Sequence, residues 1–327
     1  MITIEKVAKQ CELSKSTVSR YITGKGYVSK KSGQKIEQAI QELGYIPNQI
    51  ARDFRSGSTK NIGFISNGYF DQFGTFLNHF LNEALKYGYF VTSYLTDGNQ
   101  EKEIECLDLL KQKKLDGVFI LIKSNDWGTI KPYCKYGPIA TWHKLNCPEI
   151  YSCSVDHYEC YLHSLNYLYH HCHKTKIAHV IGYQENNNTQ RRLKAIKFFY
   201  HQHPDLVLNK EWLLISKYQQ IGGREIARLW TASSKEERPD AIIFHEDFLA
   251  GEFISELRYM NYRIPEDVNV IGCDNSTIGQ LMNMSTIDYS LDRQAQNSFR
   301  YLYNQLNGTN LPYFPITVRL LPRQTTT

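Results

Sequence analysis

Short apolar runs alternate with helix-like segments from residue 61 to residue 327, and this alternation constrains the fold more than any other feature of the sequence. Apolar runs at residues 62–65 and 118–122 predict buried strands, and the periodicity of residues 76–87 predicts a helix between them. Further elements are predicted as strands at residues 89–91, 177–181, 241–244 and 268–271 and as a helix at residues 101–111. Because this pattern favours parallel sheets and is long for one layer, we expect two α/β lobes with a ligand cleft at the carboxyl ends of the strands.

The first 60 residues differ from the rest of the chain in charge. They contain 11 basic and 5 acidic side chains, a net charge of +6, whereas residues 61–327 contain 27 basic and 28 acidic side chains, a net charge of −1. A small basic segment joined to a nearly neutral body indicates a polyanionic partner for that segment. The sequence contains no apolar run that could span a bilayer and no signal peptide, so we expect a cytoplasmic protein with no membrane contact.

The basic segment has the pattern of two short helices joined by a tight turn. Apolar residues recur at helical spacing between Ile4 and Cys11, and Ser14 can cap a second helix with a polar, basic face. A third helix, capped by Ser29 or Ser32, completes a minimal all-α core. The second helix would fit the major groove of DNA, and a small bundle with a solvated basic face is the alternative.

The next residues resemble the lac-repressor/gal-repressor (LacI/GalR) family of bacterial transcription regulators. The runs that carry this resemblance are Thr17-Val18-Ser19-Arg20, Glu42-Leu43-Gly44-Tyr45-Ile46-Pro47-Asn48, Ala51-Arg52, Phe54-Arg55-Ser56-Gly57-Ser58-Thr59 and Ile62-Gly63. The resemblance implies a helix-turn-helix DNA-binding domain at residues 1–46 and a hinge helix with linker at residues 47–60. It also implies a two-lobed domain at residues 61–327, similar to periplasmic sugar-binding proteins, that binds the effector and dimerises.

The resemblance also assigns residues to DNA. It implies base reading by Lys15, Ser16 and Arg20, and Arg20 is chemically suited, because a guanidinium can bind the O6/N7 edge of guanine with two hydrogen bonds. Phe54 takes the position of the wedge, usually leucine, that the hinge helix of the family inserts between base pairs in the minor groove. The remaining predicted DNA contacts are Thr17, Ser19, Asn48 and Ala51. A short linker helix without a DNA role is the alternative for residues 47–57.

In the body the resemblance is carried by Leu115-Asp116-Gly117-Val118, Val155-Asp156, Arg192-Leu193-Lys194-Ala195, Asp247-Phe248-Leu249-Ala250, Ile264-Pro265-Glu266-Asp267-Val268-Asn269-Val270-Ile271-Gly272 and Asp274-Asn275. The family's effector contacts carry over to Arg192 and Asp274, which would bind sugar hydroxyls as donor and acceptor. Trp142 would stack on a pyranose ring. The predicted effector contacts are Asp71, Phe73, Trp142, Arg192, Glu246, Asp247 and Asp274.

Simpler interpretations exist for several of these residues. Asp247 and Asp274 could cap helices that begin just after them, and Arg192 could form a surface ion pair. Phe73 and Trp142 could belong to the core. The sequence departs from the family's usual residues at His143, Glu246, Cys172 and Cys273, so the effector is left open. The run His170-His171-Cys172-His173 does not predict a zinc site, because adjacent ligands on one helix point in different directions, and we predict no metal or cofactor.

These observations predict a sequence-specific repressor of a carbohydrate-utilisation operon that is controlled by a sugar or sugar phosphate. It would bind a near-palindromic operator as a homodimer, and we expect no tetramer because residues 321–327 carry no leucine heptads. No catalytic motif is visible, so we expect no enzyme. The alternatives are a regulator of the same fold controlled by a protein co-repressor and a sugar-metabolising enzyme with a DNA-binding head.

Overall fold

The structure, a computed structural model, describes residues 2–24, 26–46, 57–69, 71–215 and 222–327, and of residues 71 and 72 only the backbone. The chain divides into two compact units, Met1–Thr59 and Lys60–Thr327.

The described part of the first unit is all-α. Its helices are α1 (Ile4–Gln10), α2 (Lys15–Thr23) and α3 (Lys30–Leu43). The Ser14 hydroxyl accepts a hydrogen bond from the Thr17 amide at the start of α2, which confirms the predicted cap. Ser29, and not Ser32, caps α3, and Gly44 ends that helix with a left-handed backbone that favours glycine.

The core of the first unit is small but closed. Its buried side chains come from all three helices or their ends and are Val7, Ala8, Cys11, Val18, Ile36 and Ala39. Tyr21 packs against Gly33 of α3, where a β-carbon would lie only 3.0 Å from the Tyr21 ring. The close approach of α2 and α3 therefore depends on glycine at position 33.

The second unit is α/β, as predicted. Its strands are β1 (Asn61–Ser66), β2 (Phe90–Leu95), β3 (Gly117–Ile120), β4 (Ile139–Thr141), β5 (Ile150–Ser152), β6 (Ile177–Ile181), β7 (Leu213–Ile215), β8 (Ala241–Phe244), β9 (Asn269–Cys273), β10 (Ser285–Asp288) and β11 (Arg319–Leu321). Its α-helices are α4 (Asp71–Lys86), α5 (Gln100–Lys111), α6 (Trp127–Ile130), α7 (Tyr158–His170), α8 (Asn187–Gln202), α9 (Gly223–Ala232), α10 (Asp247–Tyr259), α11 (Thr277–Leu281) and α12 (Leu291–Asn307).

The strands form two sheets, one for each lobe of the second unit. Within the described residues the first sheet has the strand order β2-β1-β3-β4-β5, and its neighbouring strands are parallel. The second sheet has the order β11-β10-β9-β8-β6-β7 and is parallel except for β11, which runs antiparallel to β10. Because the strands are parallel, their carboxyl ends lie at one edge of each sheet, where ligands of such folds bind.

Phenylalanines form much of the core of the first lobe. Phe64 on β1 lies 5.1 Å from Phe119 on β3 and 5.5 Å from Phe80 on α4, measured between ring centres. Helix α12 returns from the second lobe to this core, where the Phe299 ring centre is 5.7 Å from that of Phe80. Arg300 of the same helix donates to the buried carboxylate of Glu83 at 2.7 Å. The first lobe is therefore assembled from two distant parts of the chain.

In the parts of the chain that the structure describes, no helix combines the length and apolar character needed to cross a membrane. The same residues contain no group of three or more histidine, cysteine or acidic side chains placed to hold a metal ion.

Candidate DNA-binding and effector sites

Helix α2 presents its polar residues away from the core of the first unit. Lys15, Ser16 and Arg20 are exposed, and Thr17 and Ser19 are half-buried beside them. The five predicted DNA contacts of this helix therefore lie on its accessible side, where side chains near a helix N-terminus can reach base edges and phosphates.

Lys15 is not a solitary cation on this surface. Its ammonium group forms an ion pair with Glu5 of α1, and more than half of each side chain remains exposed. The hydrogen bond from Lys15 lowers the pKa of Glu5 to about 2. An ion pair this exposed contributes little free energy, so separating Lys15 from Glu5 would cost little.

Four of the predicted contacts cannot be placed. Asn48, Ala51 and Phe54 lie outside the described residues, and so does the side chain of Asp71, although its backbone begins α4. Their roles at DNA and at the effector stay predictions.

A cleft of about 720 Å³ opens between the two lobes of the second unit. Its walls are built by residues that directly follow strands, among them Trp142 after β4, His245 after β8 and Asp274 after β9. This is the predicted position for a ligand of parallel sheets. The volume falls within the range of about 300–1,000 Å³ that is usual for small-molecule sites.

Arg192 of α8 lines this cleft and is only 5% exposed. Its Nη2 donates to Nδ1 of His157 at 3.2 Å, and its guanidinium carbon lies 5.8 Å from the centre of the Tyr289 ring. The surface ion pair considered as an alternative is formed by the preceding residue, Arg191, which lies 2.7 Å from Asp156. Arg192 is therefore a buried cation that faces the cleft.

Three histidines line the cleft, and burial keeps them neutral. Burial, assisted by the charge of Lys123, lowers the pKa of His143 to about 4. Burial and the charge of Arg192 lower the pKa of His245 to about 3 and that of His157 well below its usual value. A neutral imidazole has one donor and one acceptor nitrogen, so these rings offer uncharged groups that suit hydroxyls.

The cleft brings together four of the predicted effector contacts, which are Trp142, Arg192, Glu246 and Asp274. Asp274 is 8% exposed and has a backbone φ of +95°, an unusual conformation for a residue other than glycine. The ring of Trp142 also packs edge-on against Phe76 at 5.8 Å, so it belongs both to the cleft wall and to the margin of the core. Direct contact of these residues with an effector stays a prediction.

The prediction of a direct contact is wrong for Asp247 and Phe73, which do not line the cleft. Asp247 is 1% exposed, and its carboxylate accepts hydrogen bonds from the Ser276 amide and the Thr286 hydroxyl. Phe73 is buried in the core, 5.5 Å from the ring of Phe64. The side chain of Asp247 turns inward although Glu246, the residue before it, faces the cleft.

Several residues that line the cleft were not predicted from the sequence. They are Tyr69, His157, Tyr289, His245, Gln294 and the run Asn186-Asn187-Asn188 at the start of α8. Most of them follow a strand within a few residues, and this position in the sequence is the feature that could have indicated them. Tyr69, four residues before Phe73, lies between β1 and α4 and contributes an aromatic side chain to the cleft.

Models of known protein families match almost the whole chain. Residues 3–48 match the model described as bacterial regulatory proteins, lacI family. Residues 59–208 match periplasmic binding proteins and sugar binding domain of LacI family, and residues 166–326 match a periplasmic binding protein-like domain. The order of these matches agrees with the two units of the structure.

Characterised relatives extend over most or all of the chain. The NTD biosynthesis operon regulator NtdR of Bacillus subtilis is 29% identical, and the alignment covers 100% of both chains. The sucrose operon repressor of Streptococcus mutans is 30% identical over 83% of this chain and 81% of its own length. Both relatives bear the names of operon regulators.

A solved structure shows the same fold. The lac repressor dimer, bound to operator and an anti-inducer, superposes with a TM-score of 0.78, at 19% identity and over 99% of each chain. With the family matches and the relatives, this leads to one conclusion: the chain belongs to the LacI family of bacterial regulatory proteins, and it is a DNA-binding transcription regulator rather than an enzyme.

Proposed function

We propose that this regulator represses a carbohydrate-utilisation operon and that a sugar or sugar phosphate, bound in the cleft, controls its binding to the operator in the cytoplasm. The observation that carries the proposal is the cleft, which combines the buried cation Arg192 with two carboxylates, Asp274 and Glu246, and three neutral imidazoles. The family match of residues 59–208 and the relationship to a sucrose operon repressor support a sugar as the ligand.

The chemistry of the lining suits a polyhydroxylated ligand. A carboxylate accepts hydrogen bonds from adjacent hydroxyls, and a guanidinium donates to ring or hydroxyl oxygens. Trp142 and Tyr69 supply aromatic surface for the apolar face of a sugar ring. We assign Asp274 and Glu246 as acceptors and Arg192 as the donor, which also serves when the sugar carries a phosphate.

The first unit supplies the DNA contacts in this proposal. Helix α2 enters the major groove, where Arg20 reads a guanine and Lys15 and Ser16 contact neighbouring positions. Thr17 and Ser19 bind phosphates and set the register of the helix. Phe54 of the hinge acts as the minor-groove wedge. The net charge of +6 in the first 60 residues supports the assignment of DNA binding to the first unit.

The protein acts as a homodimer on a near-palindromic operator in this proposal. Strand β2 forms an edge of the first sheet and carries two exposed apolar side chains, Phe90 at 69% and Leu95 at 52%. Apolar side chains on an edge strand favour a covering partner. Closure of the lobes on the sugar would change the spacing of the two DNA-binding heads and so weaken operator binding. Sedimentation equilibrium of the full chain tests the dimer.

A thermal-shift panel tests the choice of ligand. Full-length protein is heated with sucrose, glucose, ribose or glucose 6-phosphate, each alone. We expect at least one of them to raise the melting temperature, because a ligand that binds the folded state stabilises it by mass action. A shift with none of them, together with a shift caused by a phosphocarrier protein, would replace this proposal by control through a protein co-repressor.

A further inference from the structure

Asp247 lies behind the wall of the cleft, where its side chain contacts the elements that form this wall. Its carboxylate is buried at the first turn of α10, with Oδ2 2.7 Å from the Ser276 amide and Oδ1 2.7 Å from the Thr286 hydroxyl. A β-carbon at Gly272 or Gly279 would overlap a carboxylate oxygen. The backbones of β9 and α11 therefore close tightly on this one side chain.

The hydrogen bonds of Asp247 converge on the turn that presents Asp274. The Asn275 amide donates to the Thr286 hydroxyl at 3.2 Å, and that hydroxyl donates to Asp247. Two consecutive amides, those of Asn275 and Ser276, are thus tied to Asp247, the first through Thr286 and the second directly.

This turn needs such support because its backbone is strained. Asp274 and Asn275 have φ values of +95° and +50°, a region that residues other than glycine adopt only at a cost in free energy. Strained conformations persist where the surrounding structure fixes them. The hydrogen bonds that link Asn275 and Ser276 to Asp247 help to fix this conformation.

Asp247 is also adjacent in sequence to two residues that form another part of the cleft wall. Asp247 directly follows His245 and Glu246, which both line the cleft. One buried carboxylate therefore sets the position of the β8–α10 junction relative to the turn after β9, and so the distance between Glu246 and Asp274.

We propose that Asp247 is a positioning residue for effector binding, which holds Asp274 and Glu246 in place without touching the effector. This inference rests on the proposed function of the cleft as a sugar site. Its consequence is that a change at Asp247 weakens sugar binding while the free protein keeps its affinity for DNA.

The protonation of Asp247 adds a pH dependence. Burial raises the pKa of this carboxyl to about 6, although hydrogen bonds from Thr286 and Ser276 and the charge of Arg323 oppose the shift. The other titratable groups around it are Cys273 and Asp274 at the end of β9 and His245 and Glu246 at the start of its own helix, whereas α11 contributes none. Protonation replaces charge-assisted hydrogen bonds by weaker neutral ones, so sugar affinity falls as the pH falls through 6.

Destabilisation through Asp247 itself does not explain such a loss, because the linkage between protonation of this carboxyl and folding has the opposite sign. The folded state has the higher pKa, so it takes up the proton more readily than the unfolded chain between about pH 6 and pH 4. Acidification through this window therefore stabilises the fold through Asp247 while it loosens the turn.

Asp247→Asn tests the proposal, since asparagine keeps the shape and removes the charge. We expect the variant to bind the sugars of the panel about tenfold more weakly than the natural protein at pH 7.5, by calorimetry, with unchanged DNA affinity. Its sugar affinity should change less between pH 7.5 and pH 5 than that of the natural protein. Hydrogen exchange of the peptide that contains residues 274–276 should become faster in the variant without any sugar. The matched control is Glu83→Gln, which alters another fully buried carboxylate away from the cleft and should leave sugar affinity and this exchange unchanged.

Unchanged exchange at residues 274–276 in Asp247→Asn overturns the inference, whether or not a sugar binds. Equal losses of sugar affinity in Asp247→Asn and Glu83→Gln also overturn it, because they would reflect general destabilisation. If no sugar of the panel binds the natural protein, the proposed function fails, and the exchange measurement alone still decides whether Asp247 fixes the turn.

Discussion

The side chains proposed to meet DNA and those proposed to meet the effector are held in opposite ways. Lys15, Ser16 and Arg20 project from one short helix into solvent. Arg192 and Asp274 are more than nine-tenths buried and come from different elements of the second lobe. An exposed side chain can be removed with the loss of its own contact alone. A buried one leaves its partners unsatisfied, so changes in the cleft should have the larger effects.

The largest effect is expected for Arg192→Ala. Truncating a buried, hydrogen-bonded charge costs about 2–5 kcal/mol of binding energy, so sugar affinity should fall about 30-fold or more. Calorimetry with a sugar of the panel measures this loss, and affinity for DNA without sugar should be unchanged. Arg191→Ala, which removes the exposed neighbouring ion pair, is the matched control and should change sugar affinity less than about threefold. Similar losses of sugar affinity in both variants would show that the buried position of Arg192 does not make it a stronger contact than its neighbour.

Arg20→Ala should lower operator affinity by about 1–3 kcal/mol and relax the preference at one base pair, because a bidentate contact to guanine is lost. Fluorescence anisotropy with a duplex selected by the protein from a random library measures the loss. Random duplex DNA is the control, and affinity for it should fall less. An equal loss on both duplexes would make Arg20 a phosphate contact.

The two regions should also respond differently to acid. Residues 1–60 contain no histidine, whereas in the second unit burial lowers the pKa of His143 to about 4 and of His179 and His245 to about 3. The unfolded chain binds protons at these groups below about pH 6.5, so stability that is present at pH 7 is lost as the pH falls toward 4. We expect about 1–2 kcal/mol less unfolding free energy per buried histidine at pH 5, partly offset by Asp247.

Urea unfolding followed by tryptophan fluorescence checks this expectation, because all four tryptophans lie in the second unit. His179→Gln removes one such group away from the cleft and should make the pH dependence shallower. An unfolding free energy that is equal at pH 7 and pH 5 would contradict buried, neutral imidazoles.

The smallest effect is expected for Glu5→Gln, which frees the Lys15 ammonium from its ion pair. Affinity for random DNA should rise a few-fold, and the slope of log affinity against log salt should steepen by up to about 0.9, the value for one phosphate neutralised. Titrations at several salt concentrations measure the slope. A slope identical to that of the natural protein would mean that Lys15 does not reach the DNA.

The fold could be predicted from the sequence wherever buried side chains recur at the regular spacing of a helix or a strand. The three helices of the first unit and strands such as β6 and β8 follow from apolar spacing, because their buried faces are continuous. Strand β2 extends to Leu95, beyond the predicted residues 89–91. It lies at the sheet edge with mostly exposed side chains, so no apolar run marks its second half.

The site was less predictable, because single residues in loops carry no period. The resemblance to the family pointed correctly to Arg192 and Asp274 as cleft-lining residues. Position after a strand did so for Trp142 and Glu246. It failed for Asp247, since adjacent residues at a strand end point to opposite sides and only the contacts with Ser276 and Thr286 show which side is buried. The neutral state of the three cleft histidines results from desolvation by burial, and the sequence does not show which histidines are buried.

Control of DNA binding by a sugar in the cleft is the central feature proposed for this protein. Its most direct test is the affinity of the full-length protein for its selected duplex, measured by anisotropy with and without each sugar of the panel. We predict that one sugar lowers this affinity at least tenfold and that Arg192→Ala abolishes the response while keeping DNA binding intact. A sugar that binds the cleft and leaves DNA affinity unchanged would contradict the account.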